Sequence, residues 1–148
     1  MPQVLLLTAT ALEQDALVRS LEEPVAHRVA GRVWHHGRLG AVAVWLAETG
    51  IGAVNAAHTL TCGLQSRRPD LVLQVGVGGA YPQAQLALGD LAVASSEAYG
   101  ELGVRTPDGW QPAEAFGIPV LQLGEDAYCN VFPLAPRPVA NAQQVLER

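Results

Sequence analysis

Twice in its first eighty residues the chain alternates a short, almost wholly apolar run with a segment of helical spacing. No other feature narrows its possible folds as much. The run "VLLLTAT" (Val4–Thr10) leads into "ALEQDALVRSLEE", where Leu12, Ala16, Leu17 and Leu21 recur at helical intervals. Later, "AVNAAHTLTCGLQSRR" places Ala53, Ala57, Leu60 and Leu64 on one helical face and leads into "DLVLQVG". An unbroken apolar run of that length reads as a central strand covered on both faces. Between the two pairs, "RVWHHGRLGAVAVWLAE" reads as two strands about a turn near Gly37–Gly40, and "GDLAVASS" as a further strand. Strands alternating with helices predict an α/β fold with a central, mostly parallel or mixed sheet flanked by helices.

Local signals set the boundaries. Thr10 and Glu13 have the spacing of a capping box, so the first helix is expected to start at Ala11. Arg67 and Arg68 suit the negative end of the second helix, and Pro69 stops it. From Pro107 to Pro138 the chain reads as irregular, with only "IPVLQL" strand-like. "RPVANAQQVLER" then opens a helix with Pro138 in its first turn. The 148 residues fit one domain, 1–148.

Composition excludes several chemistries. All nine cationic side chains are Arg, so lysine-dependent phosphate loops, Schiff bases and pyridoxal attachment are absent. A formal charge of −5 argues against nucleic acid as a partner. No apolar run is long enough for a membrane span, and no basic segment precedes the first apolar run, so a cytoplasmic protein is expected. Cys62 and Cys129 lie far apart, and His35, His36 and His58 lack ligand spacing; no metal site is expected. Trp34, Trp45 and Trp110 read as packing residues.

"GVGGAYP" follows the apolar run ending at Gly76. It is not a dinucleotide fingerprint, because a helix does not follow it. Two readings stand: a tight turn needing positive φ, or a floor of exposed backbone groups under a planar ligand. Glu13 and Asp15 are the carboxylates near the first strand's end, about 200° apart around the helix, so both cannot face one pocket. Glu13 has a capping role available, and Asp15 an ion pair with Arg19.

The segments "TATALEQDAL", "ETGIGAVNAA" and "VGVGGAYPQAQLALGDLAVASSEAYGELGV", in that order, resemble the nucleoside phosphorylase/nucleosidase superfamily. Within it they are most similar to the futalosine hydrolases of menaquinone biosynthesis, with the methylthioadenosine/S-adenosylhomocysteine nucleosidases as the neighbouring branch. The resemblance implies hydrolysis of the N-glycosidic bond of a purine nucleoside, hypoxanthine being released from futalosine, with no cofactor. It implies Asp15 as the water-activating carboxylate, Glu13 being the other candidate. Val77, Gly78 and Gly79 would hold the purine, and Thr49, Gly50 and Gly52 would line the ribose side. Val104 falls where, in related dimers, the neighbouring subunit's pocket is closed, so a homodimer or larger homo-oligomer is expected. Ala53, Val54 and Asn55 after "TGIG" favour water over phosphate as nucleophile.

The pattern departs from the family at its end. No M-E motif for the ribose hydroxyls and no S-D or S-N motif for protonating the purine occurs. The resemblance therefore implies a fold incomplete at its C-terminus and a polypeptide severely impaired or inactive by itself. The other readings are a methylthioadenosine-type nucleosidase, a purine nucleoside phosphorylase, or a non-catalytic remnant that binds purines or a partner.

Overall fold

The structure, a computed structural model, describes residues 1–146. The chain divides into two compact units, Met1–Tyr81 and Pro82–Arg148. The first contains, in order, β1 (Gln3–Thr8), α1 (Ala11–Ser20), β2 (Glu22–Val29), β3 (Arg32–Leu39), β4 (Val42–Glu48), α2 (Ala53–Ser66) and β5 (Leu71–Gln74). The strands form one mixed sheet in the order β2-β3-β4-β1-β5. β1 runs parallel to β4 and β5, while β3 is antiparallel to both β2 and β4. This is the α/β arrangement expected from the alternation of elements.

Alternate residues of β1 feed two cores, because successive strand side chains point to opposite faces. Leu5 and Leu7 join Trp34 and Ala47 on one face, against Leu60 and Cys62 of α2. Leu6 joins Val44 and Leu46 on the other, against Leu17, Val18 and Leu21. Near the first cluster His36 stacks on Trp45 with ring centroids 4.5 Å apart, and the Arg67 guanidinium sits 3.6 Å from the Trp45 centroid.

The helix faces differ from those read in the sequence. On α1, Leu12 is 85% exposed, and the inward side runs through Gln14, Leu17 and Val18. On α2 the buried residues are Thr59 and Gly63, and Leu64 is exposed. Gly63 sets that face. A Cβ there would stand 2.8 Å from Leu5 Cδ2 and 3.1 Å from the Trp34 ring, so the helix lies against the sheet through a missing side chain. Apolar periodicity ranks glycine and threonine too low to detect such a face.

Three strand readings need correction. α1 stops at Ser20 rather than running through Glu23, and "EEPVAHRV" becomes β2. Seven of its eight residues are exposed, so no alternating pattern marks it. β5 is an edge strand, not a central one: Val72 and Gln74 are exposed, and β1 is its sole partner among the described residues. Of "GDLAVASS" (Gly89–Ser96) only Ser96 lies in a strand, as the first residue of β6 (Ser96–Ala98).

The second unit is built of short hairpins and one helix. β7 (Gly103–Thr106) pairs with β8 (Gly109–Pro112), β9 (Leu121–Leu123) with β10 (Asp126–Tyr128), and β11 (Val131–Pro133) with β6. Strands of three or four residues carry no readable period, which is why this stretch looked irregular. Asn130 ties it together: its Nδ2 donates to the Tyr99 and Leu102 carbonyls at 2.9 and 2.7 Å, and its Oδ1 accepts from the Glu114 N–H at 3.0 Å. α3 (Pro136–Leu146) opens on Pro136, with Pro138 in its first turn as expected. No helix among the described residues is long and apolar enough to cross a membrane.

Candidate functional site

The C-terminal ends of the three mutually parallel strands β4, β1 and β5 lie side by side, and in open α/β sheets this is the edge where ligands bind. Each end continues into a segment singled out in the sequence. β1 leads to Thr10 and α1, β4 to Thr49–Gly52, and β5 to Gly76–Gly79.

The capping box forms as read: the Glu13 N–H donates to Thr10 Oγ1, and the Glu13 carboxylate turns back on the Thr10 backbone. That same carboxylate has a second task. Its Oε2 accepts from Ala9 N (3.1 Å), Thr10 N (2.9 Å) and Thr10 Oγ1 (2.9 Å), while Oε1 accepts from Val77 N at 2.9 Å. One side chain thus joins the ends of β1 and β5. The Val77 N–H, followed by the Thr10 hydroxyl, holds the Glu13 carboxyl below the ordinary glutamate range, since both favour the charged form. Asp15 takes no part. Its side chain is exposed, enters none of these hydrogen bonds and makes no ion pair with Arg19. The carboxylate that meets the glycine segment is Glu13, contrary to the preference drawn from matching the family pattern onto Asp15.

The glycines divide by cause. None of Gly76, Gly78 and Gly79 has positive φ, so the tight-turn reading does not account for them. Gly76 is demanded by Glu13: a Cβ would lie 2.6 Å from Oε1. Gly78 and Gly79 are exposed, with nothing within 4 Å of where a Cβ would stand. Their backbone faces open space. Val77 is 87% exposed beside them.

On the β4 side, Thr49 is buried and turned inward: its hydroxyl lies 2.7 Å from the Gly50 carbonyl and 3.1 Å from that of Thr8. It shapes the loop instead of offering its hydroxyl outward, as a ribose-lining role would require. Gly50 (φ +83) and Gly52 (φ +97) occupy the left-handed region that a side chain resists, and Gly52 caps α2 without a side-chain hydrogen bond. The first amides of α2 therefore face the same edge, where the helix dipole is positive. Val104 lies on β7 in the second unit and is 48% exposed.

Sequence reasoning missed Arg32. Its Nη2 stands 3.3 Å from where a Gly50 Cβ would be, because the β3–β4 pairing brings the start of β3 beside the end of β4. Only that register reveals the proximity. Arg105 and Arg137 belong to the second unit. Among the described residues no three His, Cys, Asp or Glu side chains gather as a metal site would require.

Comparison with known proteins adds a frame for this edge. A family model described as the phosphorylase superfamily matches residues 3–148. The 5'-methylthioadenosine/S-adenosylhomocysteine nucleosidase of Maridesulfovibrio salexigens is 38% identical over 87 residues, 57% of this chain and 37% of that protein. The futalosine hydrolase of Thermus thermophilus is 39% identical over 89 residues, 60% of this chain and 37% of that protein. Among solved structures, the Colwellia psychrerythraea methylthioadenosine/S-adenosylhomocysteine nucleosidase in complex with adenine superposes with a TM-score of 0.79 at 25% identity, covering 99% of this chain and 55% of that one. The chain thus spans little more than a third of the length of these two curated relatives.

Proposed function

Because this chain belongs to the phosphorylase superfamily, we propose that its first unit carries the water- and purine-binding part of a nucleosidase acting on an N-glycosidic bond. The observation that supports this most is the Glu13 carboxylate, fixed and ionised against the Val77 amide beside the open backbone of Gly78 and Gly79. Glu13 takes a proton from water as its oxygen attacks the anomeric carbon of the sugar, the carbon–nitrogen bond breaks, and the purine leaves with its electron pair. The bare backbone of Gly78 and Gly79 lets the ring lie flat against the chain, and Val77 adds an apolar contact.

Futalosine is the substrate we favour, with hypoxanthine the product, as part of menaquinone biosynthesis. The Thermus thermophilus relative supports it, while the Maridesulfovibrio salexigens nucleosidase supports methylthioadenosine about equally. Phosphorolysis is a third reading, and one observation favours it: Arg32 next to Gly50 supplies a cation beside the amides of α2. The full set of partners proposed is a purine nucleoside and a second copy of the chain, with neither nucleic acid nor membrane involved. The exposed apolar residues Leu12, Ile51, Val54 and Val77 at the strand-end edge suit cover by that copy.

Incubation of a polypeptide of the relatives' full length that contains these residues with futalosine, methylthioadenosine and inosine, each with and without inorganic phosphate, separates the readings by the purine released. Release of hypoxanthine from futalosine without phosphate is the expected result. A strict phosphate requirement transfers the assignment to a phosphorylase. Saturable purine binding by calorimetry without any turnover makes the chain a binding module.

A further inference from the structure

We propose that Thr10 is a positioning residue for the Glu13 base, its hydroxyl helping to occupy Oε2 so that Oε1 alone receives the proton from water. This rests on the reading of Glu13 given above. A carboxylate offers about four lone-pair sites, two on each oxygen. Three donors converge on Oε2, from Ala9 N, Thr10 N and Thr10 Oγ1, so that oxygen has no site left. Oε1 accepts only the Val77 N–H, and one site stays open. The hydroxyl is itself oriented: Oγ1 accepts the Glu13 N–H at 3.4 Å, which leaves its hydrogen to point at the carboxylate.

The two ends of the carboxylate are therefore unlike. One is locked to the turn between β1 and α1, and the other faces the glycine segment, where Gly76 leaves it room. A helix cap and a base-orienting clamp are the same four atoms: Thr10 N, Thr10 Oγ1, Glu13 N and Glu13 Oε2. Any residue at position 10 that caps the helix without a hydrogen to donate preserves the helix and loosens the base.

The test compares the wild-type chain with Thr10→Val, which removes the hydroxyl, and Thr10→Ser, which keeps it. Helix content is followed by circular dichroism. The Glu13 carboxyl carbon is titrated by NMR, which needs no turnover. The Glu13 midpoint is expected to rise in Thr10→Val and to stay at the wild-type value in Thr10→Ser. With the substrate that responds best, kcat should fall roughly 10- to 100-fold in Thr10→Val. KM should change far less, the acid limb of the pH profile should move upward, and Thr10→Ser should recover most of the loss. Should Thr10→Val lose helix, Thr10→Gly takes its place, a tolerated cap with neither a hydroxyl to give nor a charge to add beside Glu13. An unchanged Glu13 midpoint in the folded variant without the hydroxyl overturns the proposal, as does failure of Thr10→Ser to restore the wild-type profile. Turnover that survives Glu13→Gln removes Glu13 from the chemistry, a separate failure that the titration does not share.

Discussion

At the scale of single residues, a single carboxylate links two strand ends. Glu13→Gln keeps the shape but cannot take a proton, so purine release should fall by about 10²–10⁴-fold. Asp15→Asn, changing an exposed side chain outside the network, should leave it within twofold; a release assay on both decides which acid acts. Gly76→Ala should be nearly as damaging as the loss of Glu13. The new methyl would stand 2.6 Å from Oε1, and the neighbouring strand end cannot yield as easily as the carboxylate. Acidification should show the same network in stability. A carboxyl held below its unfolded value contributes fully above the ordinary glutamate range, and that contribution is lost as pH falls through the lowered folded value. Urea midpoints measured from neutral pH downward should therefore fall less steeply in Glu13→Gln than in wild type. The candidate site was half legible in the sequence. The spacing of Thr10 and Glu13 is a local signal, but the meeting of Glu13 with Val77 spans 64 positions and depends on β1 pairing with β5. Helical angle alone says only that Glu13 and Asp15 cannot both face inward.

At the scale of elements, small residues decide how helices seat. Gly63→Ala pushes a methyl into Leu5 and Trp34, and should destabilise the first unit by about 1–3 kcal/mol in denaturant melts. Leu64→Ala on the exposed side should cost much less. The strand–helix order and the start of α1 were readable because they rest on apolar runs and on a cap. The inward faces of α1 and α2 were not, because Gln14, Thr59 and Gly63 occupy positions that a hydrophobic pattern assigns to solvent. β2 escaped for a related reason. It is an edge strand with Pro24 in it and a bulge between Glu22 and Val25, and its one half-buried residue is Val29. β5 was misplaced because an apolar run gives composition but no count of neighbours.

At the scale of the whole molecule, two units of unlike construction share one chain, one a three-layer α/β sheet and the other a set of short hairpins with a helix. Between β5 and β6 regular structure is limited to a three-residue turn at Pro82–Ala84, and Leu88 and Leu91 stand fully or largely exposed. A protease that cuts after leucine should therefore cleave at Leu88 or Leu91 before it reaches Leu5 or Leu46, and mass spectrometry of early fragments reads this directly. The placement of the tryptophans has an optical corollary. Trp34 is sealed in the first unit, and Trp45 is pressed between an imidazole and a guanidinium there, while Trp110 of the second unit is 44% exposed. Blue, dimmed emission thus belongs to one half of the molecule and redder emission to the other. A Trp110→Phe variant would leave a fluorescent signal that watches only the unit holding Glu13 and Gly76–Gly79.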